Sequence, residues 1–112
     1  METIKDRIVS ALEMHALNNP DSNYEITFPQ GDSYICRWEN GEYSDNGEEV
    51  GTSEYDEWYE LDYRVLKILK DGPNKNPSYD YIQVSKKHIP SLVTCNDEII
   101  VSDDKIYAGT AL

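Results

Sequence analysis

The sequence predicts an α+β fold in which one N-terminal helix packs on a twisted antiparallel sheet, or on a small open barrel, of five to six strands. Apolar residues recur at spacings of three and four near the start of the chain, whereas apolar and polar residues alternate through much of the remainder. Turn-forming residues separate the alternating stretches, which is typical of antiparallel strands. We expect residues 1–112 to form a single domain, since one core can serve a chain of this length.

The predicted helix covers about residues 4–17. Its apolar face is formed by Ile4, Ile8, Ala11, Leu12 and Ala16. Thr3 is the expected N-cap. The helix should end before Pro20, because proline pushes the residue before it out of the helical conformation. His15 is expected at the boundary of the apolar face rather than in a metal or catalytic site.

Two alternating stretches, at residues 24–28 and 34–39, predict a β-hairpin across a turn at residues 29–32. Beyond them, the dipeptides Asn40-Gly41 and Asn46-Gly47 are typical of tight turns. We therefore expect one short hairpin or two turns after residue 39, and no long element before Ser53.

Residues 55–70 are compatible with either a helix or a strand. One face of a helix would carry Trp58, Leu61, Val65 and Leu69. The alternation from Tyr59 to Val65, together with its tyrosine and valine content, favours a strand. A strand is therefore the preferred interpretation.

The rest of the chain predicts a loop at residues 71–77, a returning strand at 79–84 and a helical turn within 85–93 that Pro90 interrupts. A last hairpin is expected from residues 98–101 and 105–108 across a turn at 102–104. The apolar positions that keep phase with these elements are expected to be buried: Ile8, Leu12, Ile26, Cys36, Leu61, Val65, Leu69, Ile82 and Ile100.

The formal net charge of −12 is concentrated in residues 39–62, which contain ten acidic residues and neither lysine nor arginine. The other residues carry twelve acidic and ten basic side chains and net only −2. The lack of a basic cluster argues against direct binding to nucleic acid or to an anionic membrane. Concentrated negative charge instead creates a field that steers a basic protein partner, although a solvated acidic loop would have the same composition.

If residues 54–70 form a strand, its even-numbered positions place a row of side chains on one face: Glu54, Asp56, Trp58, Glu60 and Asp62. Same-face residues of a strand lie about 6.6 Å apart, and the phosphates of one DNA strand advance about 3.4 Å along the helix axis. A carboxylate row around an exposed indole would therefore resemble a phosphate backbone with an apolar anchor. We take these five residues as the candidate partner-binding site.

No catalytic, cofactor or metal site is predicted. The two histidines do not share a metal-binding motif, and no phosphate-binding glycine loop or nucleophile elbow is present. Residues 42–47 resemble the start of an EF-hand loop, but Ser53 stands where a bidentate glutamate is required. Cys36 and Cys95 are expected to be reduced thiols in a cytoplasmic protein. Neither a signal peptide nor a membrane span is predicted.

These observations predict a non-enzymatic, acidic protein-binding domain. One hypothesis is an inhibitor that occupies the basic nucleic-acid groove of a host enzyme, as anti-restriction or anti-CRISPR proteins of phages and bacteria do. The alternatives are an immunity-type protein that neutralises a basic toxin and an accessory interaction domain whose acidity serves only solubility. The sequence identifies neither the partner nor the oligomeric state.

Overall fold

The computed structural model of the protein describes residues 2–75 and 77–107. Its elements, in chain order, are α1 (Ile4–Asn18), β1 (Tyr24–Thr27), β2 (Ser33–Asp45), β3 (Glu57–Lys70), β4 (Tyr81–Val84), β5 (Leu92–Cys95), β6 (Glu98–Ser102) and β7 (Lys105–Ile106). The strands form one antiparallel sheet in the order β4-β3-β2-β1-β5-β6-β7. The α+β class is confirmed. The prediction of five to six strands or an open barrel is wrong, because the described chain forms seven strands with β4 and β7 at opposite ends of an unclosed sheet.

The helix α1 begins at the predicted N-cap. The Thr3 hydroxyl accepts a hydrogen bond from the Asp6 amide at 3.1 Å, and the Asp6 carboxylate accepts one from the Thr3 amide at 3.1 Å. This reciprocal capping box satisfies amides that have no partner within the helix. The buried face of α1 consists of Ile8, Val9, Leu12 and Ala16, and it packs against the sheet. No helix in the described ranges is long and apolar enough to cross a membrane.

Two meanders, β1–β4 and β5–β7, join through the pairing of β1 with β5, where Ile26 lies opposite Val93. The predicted helical turn within residues 85–93 is wrong. Ser85 and His88 instead exchange two backbone hydrogen bonds in a tight turn, and β5 begins after Pro90. Because proline lacks an amide hydrogen and fixes its own backbone angle, Pro90 favours this extended exit over a helix.

The predicted turn at Asn40-Gly41 is also wrong, as is the absence of a long element before Ser53, because β2 continues to Asp45. Gly41 lies opposite Leu61 in the sheet, and a side chain on Gly41 would collide with Tyr59 and Glu13. The Tyr59 hydroxyl donates a 2.6 Å hydrogen bond to the Glu13 carboxylate at this position. Glycine thus leaves room here for the hydrogen bond between Tyr59 and Glu13 and does not mark a turn.

The strand interpretation of residues 55–70 is confirmed by β3. Seven of the nine residues expected in the core are buried, but Val65 is only half-buried and Leu69 is 44% exposed. Irregular pairing with β2 around Leu69 breaks the alternation of faces, and β4 pairs only with residues 61–64 of β3. The end of β3 therefore extends beyond the core.

Several other predicted elements have counterparts in the structure. The predicted returning strand is β4, and the last hairpin is formed by β6 and β7. The turns before and after β6 place Asn96, Asp97, Asp103 and Asp104 at positive φ, where asparagine and aspartate are tolerated best. Asn76 in the predicted loop and Ala108 in the predicted last strand lie outside the described residues.

The two cysteines are buried and unbonded, and they lie on strands that flank β1. Cys36 on β2 is opposite Tyr24, and the pairing of Glu25 with Thr94 brings Cys95 to the other side of that tyrosine. Two strand spacings amount to about 9.5 Å, which is more than a disulfide spans. Burial raises the pKa of both thiols. Both features favour unreactive, reduced cysteines.

Candidate protein-binding site

Residues 39–62, here called the acidic arm, form the distal part of the β2–β3 hairpin. The arm comprises the end of β2, a connecting loop at residues 46–56 and the start of β3, and its strands pair from Asn40 with Asp62 to Asp45 with Glu57. The ten acidic residues identified from the sequence are thereby brought onto one hairpin.

The loop of the arm is held together by the Asn46 side chain. Its amide nitrogen donates to the Glu54 carbonyl at 2.6 Å, and its oxygen accepts from the amides of Glu48 and Asp56 at 3.2 Å each. The Gly47 amide donates to the Asp45 carboxylate at 2.7 Å, and Gly47 adopts a φ of 79°. Gly47 thus has the positive φ expected of this dipeptide, but Asn46-Gly47 begins the connecting loop at residues 46–56 instead of forming a tight turn. The acidic loop has a hydrogen-bonded backbone.

Within the described chain, two of the ten acidic residues of the arm form ion pairs. Glu39 accepts from Arg64 at 2.8 Å, and Asp56 lies 3.0 Å from the Lys86 ammonium and 2.9 Å from that of Lys87. The hydrogen bond from Arg64 lowers the pKa of Glu39, and those from Lys87 and Lys86 lower the pKa of Asp56. The other eight carboxylates have no cationic partner among the described residues, so the arm keeps most of its negative charge.

The five candidate residues do not form the continuous exposed row expected from the sequence. Glu54 lies in the loop, outside β3, and Asp56 is neutralised by the two lysines. Trp58 is half-buried rather than exposed, and the Lys87 ammonium lies 5.1 Å from the centre of its ring. The pairing of Asp56 and the cover over Trp58 arise from the turn at residues 85–88, whose lysines lie against the start of β3. The local sequence of β3 does not reveal this contact.

Glu60 and Asp62 lie on the face of β3 opposite Leu61 and Tyr63, and they form a cluster with a residue that the sequence did not indicate. Glu42 on β2 is directly opposite Glu60. Glu60 is only 5% exposed, although it was expected in an exposed row. We call Glu42, Glu60 and Asp62 the carboxylate triad. Its assembly depends on the continuation of β2 past Gly41, so only the correct strand prediction would have revealed it.

Asp62 is the perturbed member of the carboxylate triad. Burial, a hydrogen bond shared with Glu42 and the charges of Glu42 and Glu60 raise its pKa to about 6, whereas the 3.2 Å hydrogen bond from Gln83 opposes the shift. Like charges close together disfavour ionisation, so one of the carboxyl groups holds a proton more tightly. The triad is therefore a site where an added cation would relieve repulsion.

A groove of about 830 Å³ borders the carboxylate triad at Asp62. Its walls include Glu39, Lys75, Tyr79, Tyr81, Gln83 and His88. At its margin, Arg64 donates 2.8 Å hydrogen bonds to Glu39 and to the Tyr81 hydroxyl, and its guanidinium lies 5.2 Å from the centre of the Tyr81 ring. This face of the sheet thus already binds one guanidinium between a carboxylate and an aromatic ring.

We expect the free energy of unfolding to increase as the pH falls from 7 to 5. The pKa of Asp62 is about 6 in the folded protein and near its ordinary value of 3.8 in the unfolded chain, so protonation favours the folded state over this interval. Because solvent screens this group, the gain should be about 1 kcal/mol or less. Chemical denaturation at several pH values measures it.

The matched variant for this measurement is Asp62→Asn, which should lack the gain between pH 7 and 5. Both proteins should lose stability below about pH 4, because hydrogen bonds lower the pKa values of Asp32, Glu39 and Asp56 and their stabilisation disappears on protonation. A steady loss of wild-type stability from pH 7 downwards would contradict the expectation.

The described residues contain no group of three or more histidine, cysteine, aspartate or glutamate side chains arranged to hold a metal ion. The charged features of this face are the acidic arm, the carboxylate triad and the groove beside it. A comparison with protein-family models finds no match for this chain, and comparisons with curated protein sequences and with solved structures find no significant match either.

Proposed function

We propose that the protein is a non-enzymatic inhibitor whose acidic arm binds a basic protein surface, of the kind that forms the nucleic-acid groove of an enzyme. The observation that carries the proposal is the presence of eight carboxylates without a cationic partner, among the described residues, on one hairpin. The proposed contact residues are the five from the sequence and the third member of the triad: Glu54, Asp56, Trp58, Glu60, Asp62 and Glu42.

The electrostatics of the arm support recognition by charge. Clustered carboxylates repel one another, and this repulsion is relieved when a basic surface approaches. Same-face side chains on each strand of the arm are about 6.6 Å apart, close to twice the advance of about 3.4 Å per phosphate on a DNA strand. A groove that binds phosphates at that spacing can therefore accept the carboxylates of the arm, and nucleic acid would be excluded from it. The reduced, buried cysteines support a cytoplasmic location.

The proposal is tested with a partner captured from a lysate of the cellular host and then purified for binding kinetics. The arm variant replaces four exposed carboxylates that lack a cationic partner: Glu48→Gln, Glu49→Gln, Glu54→Gln and Glu57→Gln. We expect association to slow about tenfold and its dependence on salt to flatten, because steering charges act mainly on the association rate.

The control variant removes four negative charges outside the arm: Asp21→Asn, Glu25→Gln, Asp97→Asn and Glu98→Gln. All four residues are exposed, and asparagine tolerates the positive φ of Asp21 and Asp97. The association rate of the control should be within about twofold of the wild-type rate if the charge of the arm itself is decisive. An equal decrease of the association rate in both variants would show that the net charge of the protein, and not the position of the arm's charges, determines association. A partner that binds this protein and nucleic acid simultaneously would exclude occupation of the groove.

A further inference from the structure

We propose that the carboxylate triad, Glu42, Glu60 and Asp62, is a socket for one arginine side chain of the protein partner. This inference rests on the proposed function and names the chemical group that the arm recognises. The remainder of the partner's surface would be bound by the more distal carboxylates of the arm.

The first observation is the state of Glu60. This side chain is 5% exposed, and it has no hydrogen-bond or ion-pair partner among the described residues. Its sheet neighbours on the same face, Glu42 and Asp62, are also acidic. A buried carboxylate is normally hydrogen-bonded or paired with a cation. The Glu60 carboxylate oxygens are not among the fully buried, unpartnered atoms of the described residues, so they remain accessible to a cation from another molecule.

The second observation is the groove of about 830 Å³ that borders Asp62. Tyr79 and Tyr81 contribute to its walls, and the Tyr79 side chain is 66% exposed. A long side chain can lie along these aromatic surfaces while its charged end reaches the carboxylates. The groove therefore offers a flexible cationic side chain a path to Asp62, the member of the triad that lines it.

The third observation is Arg64, two residues beyond Asp62 on β3. Its guanidinium is bound by a carboxylate, a tyrosine hydroxyl and a tyrosine ring in the arrangement described above. The carboxylate triad contains the same kind of acceptors but no guanidinium from the described chain. Arg64 shows that this face accommodates the planar group and satisfies several of its donors at once.

The number of acceptors favours arginine over other cations. Three carboxylates on two adjacent strands offer two oxygens each, and a guanidinium presents five N–H donors in a rigid plane. A lysine ammonium has three donors and is more strongly hydrated. The described residues do not form a metal-binding cluster. Arginine thus best combines charge, donor number and affinity for the tyrosine rings.

Binding should also depend on pH, since the socket requires Asp62 to be ionised and its pKa is raised to about 6. The groups that face Asp62 are Glu42 from β2, Glu60 from its own strand and Gln83 from β4. Around the adjoining groove, the charged or titratable groups are Glu39, Arg64, Lys75, Tyr79, Tyr81 and His88. Affinity is expected to fall as the pH decreases from 7 to 5, while carboxylates with ordinary pKa values stay ionised.

The test uses three capped tripeptides as probes, glycine-arginine-glycine, glycine-lysine-glycine and glycine-citrulline-glycine, with backbone amide shifts followed by NMR. We expect the arginine peptide to shift amides around Glu60, Asp62 and Gln83 with millimolar affinity. The lysine peptide should bind at least threefold more weakly, and the uncharged citrulline peptide should cause no saturable shift. Glu60→Gln and Asp62→Asn should each weaken arginine binding about tenfold, and Glu25→Gln, a change of the same kind at an exposed position of β1, should not.

Thermal melts identify any variant that fails to fold, and Glu42→Gln on the neighbouring strand provides a third, independent substitution. Equal binding of the arginine and lysine peptides, or shifts spread evenly along the acidic arm, would overturn the socket. The partner assay separates the two proposals. If the four-residue arm variant loses affinity for the partner while Glu60→Gln and Asp62→Asn retain it, the socket is wrong and the proposed function stands. If the arm variant binds normally, the proposed function is wrong.

Discussion

Replacement of Leu61 by alanine is expected to lower the free energy of unfolding by about 3 kcal/mol, from lost burial and from the cavity that remains. Leu61 is 0% exposed and lies between Gly41 on β2 and Val84 on β4, where three strands meet. Gly41 offers no side chain that could move into the space. Urea denaturation measures the loss, provided that the slope of the unfolding free energy against urea concentration is the same in the variant and the wild type.

The matched control is Leu69→Ala, the same change on the same strand. Leu69 is 44% exposed, so its truncation should cost less than about 1 kcal/mol. Val65 is half-buried, and its replacement should give an intermediate loss. From the sequence alone, Leu61 and Val65 were both expected to be buried. Equal losses for Leu61 and Leu69 would contradict the burial described here.

The sequence predicted those elements whose patterns are long enough to be distinctive. The helix and its cap, the hairpin of β1 and β2, and the strand β3 follow from local periodicity and from Thr3. The strand β5 was not predicted because it has only four residues and follows Pro90, which fits an interrupted helical turn equally well. Its identity depends on pairing with β1, 65 to 69 positions earlier in the chain.

The misassigned Asn40-Gly41 dipeptide shows why tertiary contacts cannot be read from a local motif. Asn-Gly is favoured in tight turns, but glycine also occurs within a strand where side chains of neighbouring elements pack closely against the backbone. The deciding contact joins Tyr59 and Glu13, which are 46 positions apart. Once β2 was predicted to stop at this turn, the position of Glu42 opposite Glu60 could not be anticipated.

The candidate site was predicted in its charge but not in its geometry. The density of acidic residues is visible in the composition of residues 39–62. The pairing of Asp56 with Lys86 and Lys87 is not, because the three residues meet only after β4 returns alongside β3. Lys87, in the turn at residues 85–88, also covers part of Trp58. The alternation of faces along β3 would by itself leave Trp58 exposed.

Replacement of Asp32 by alanine is expected to cost about 3 kcal/mol, through buried donors that lose their acceptor. Asp32 is 1% exposed and accepts a 2.6 Å hydrogen bond from the Tyr34 hydroxyl. It also accepts bonds from the Asn74 backbone amide and side chain, all at 3.1 Å. These contacts fix the loop that carries Asn74 and Lys75, which form part of the groove wall. Asp32→Ala should therefore also broaden or shift the NMR signals of residues in the groove wall.

The pH dependence of this loss distinguishes the hydrogen-bonded carboxylate from a simple packing defect. Burial opposes ionisation of Asp32, but the hydrogen bonds from Tyr34 and Asn74 outweigh it and lower its pKa below the ordinary value of 3.8. The stabilisation is present above that value and is lost as the pH falls through the lower, folded-state pKa. The stability difference between the wild type and Asp32→Ala should therefore be constant from pH 7 to 5 and should shrink below pH 3. Asp71→Ala, an exposed change in the same loop, should cost less than about 1 kcal/mol throughout. If the Asp32→Ala loss is the same at pH 7 and at pH 2.5, the missing volume rather than the carboxylate accounts for it.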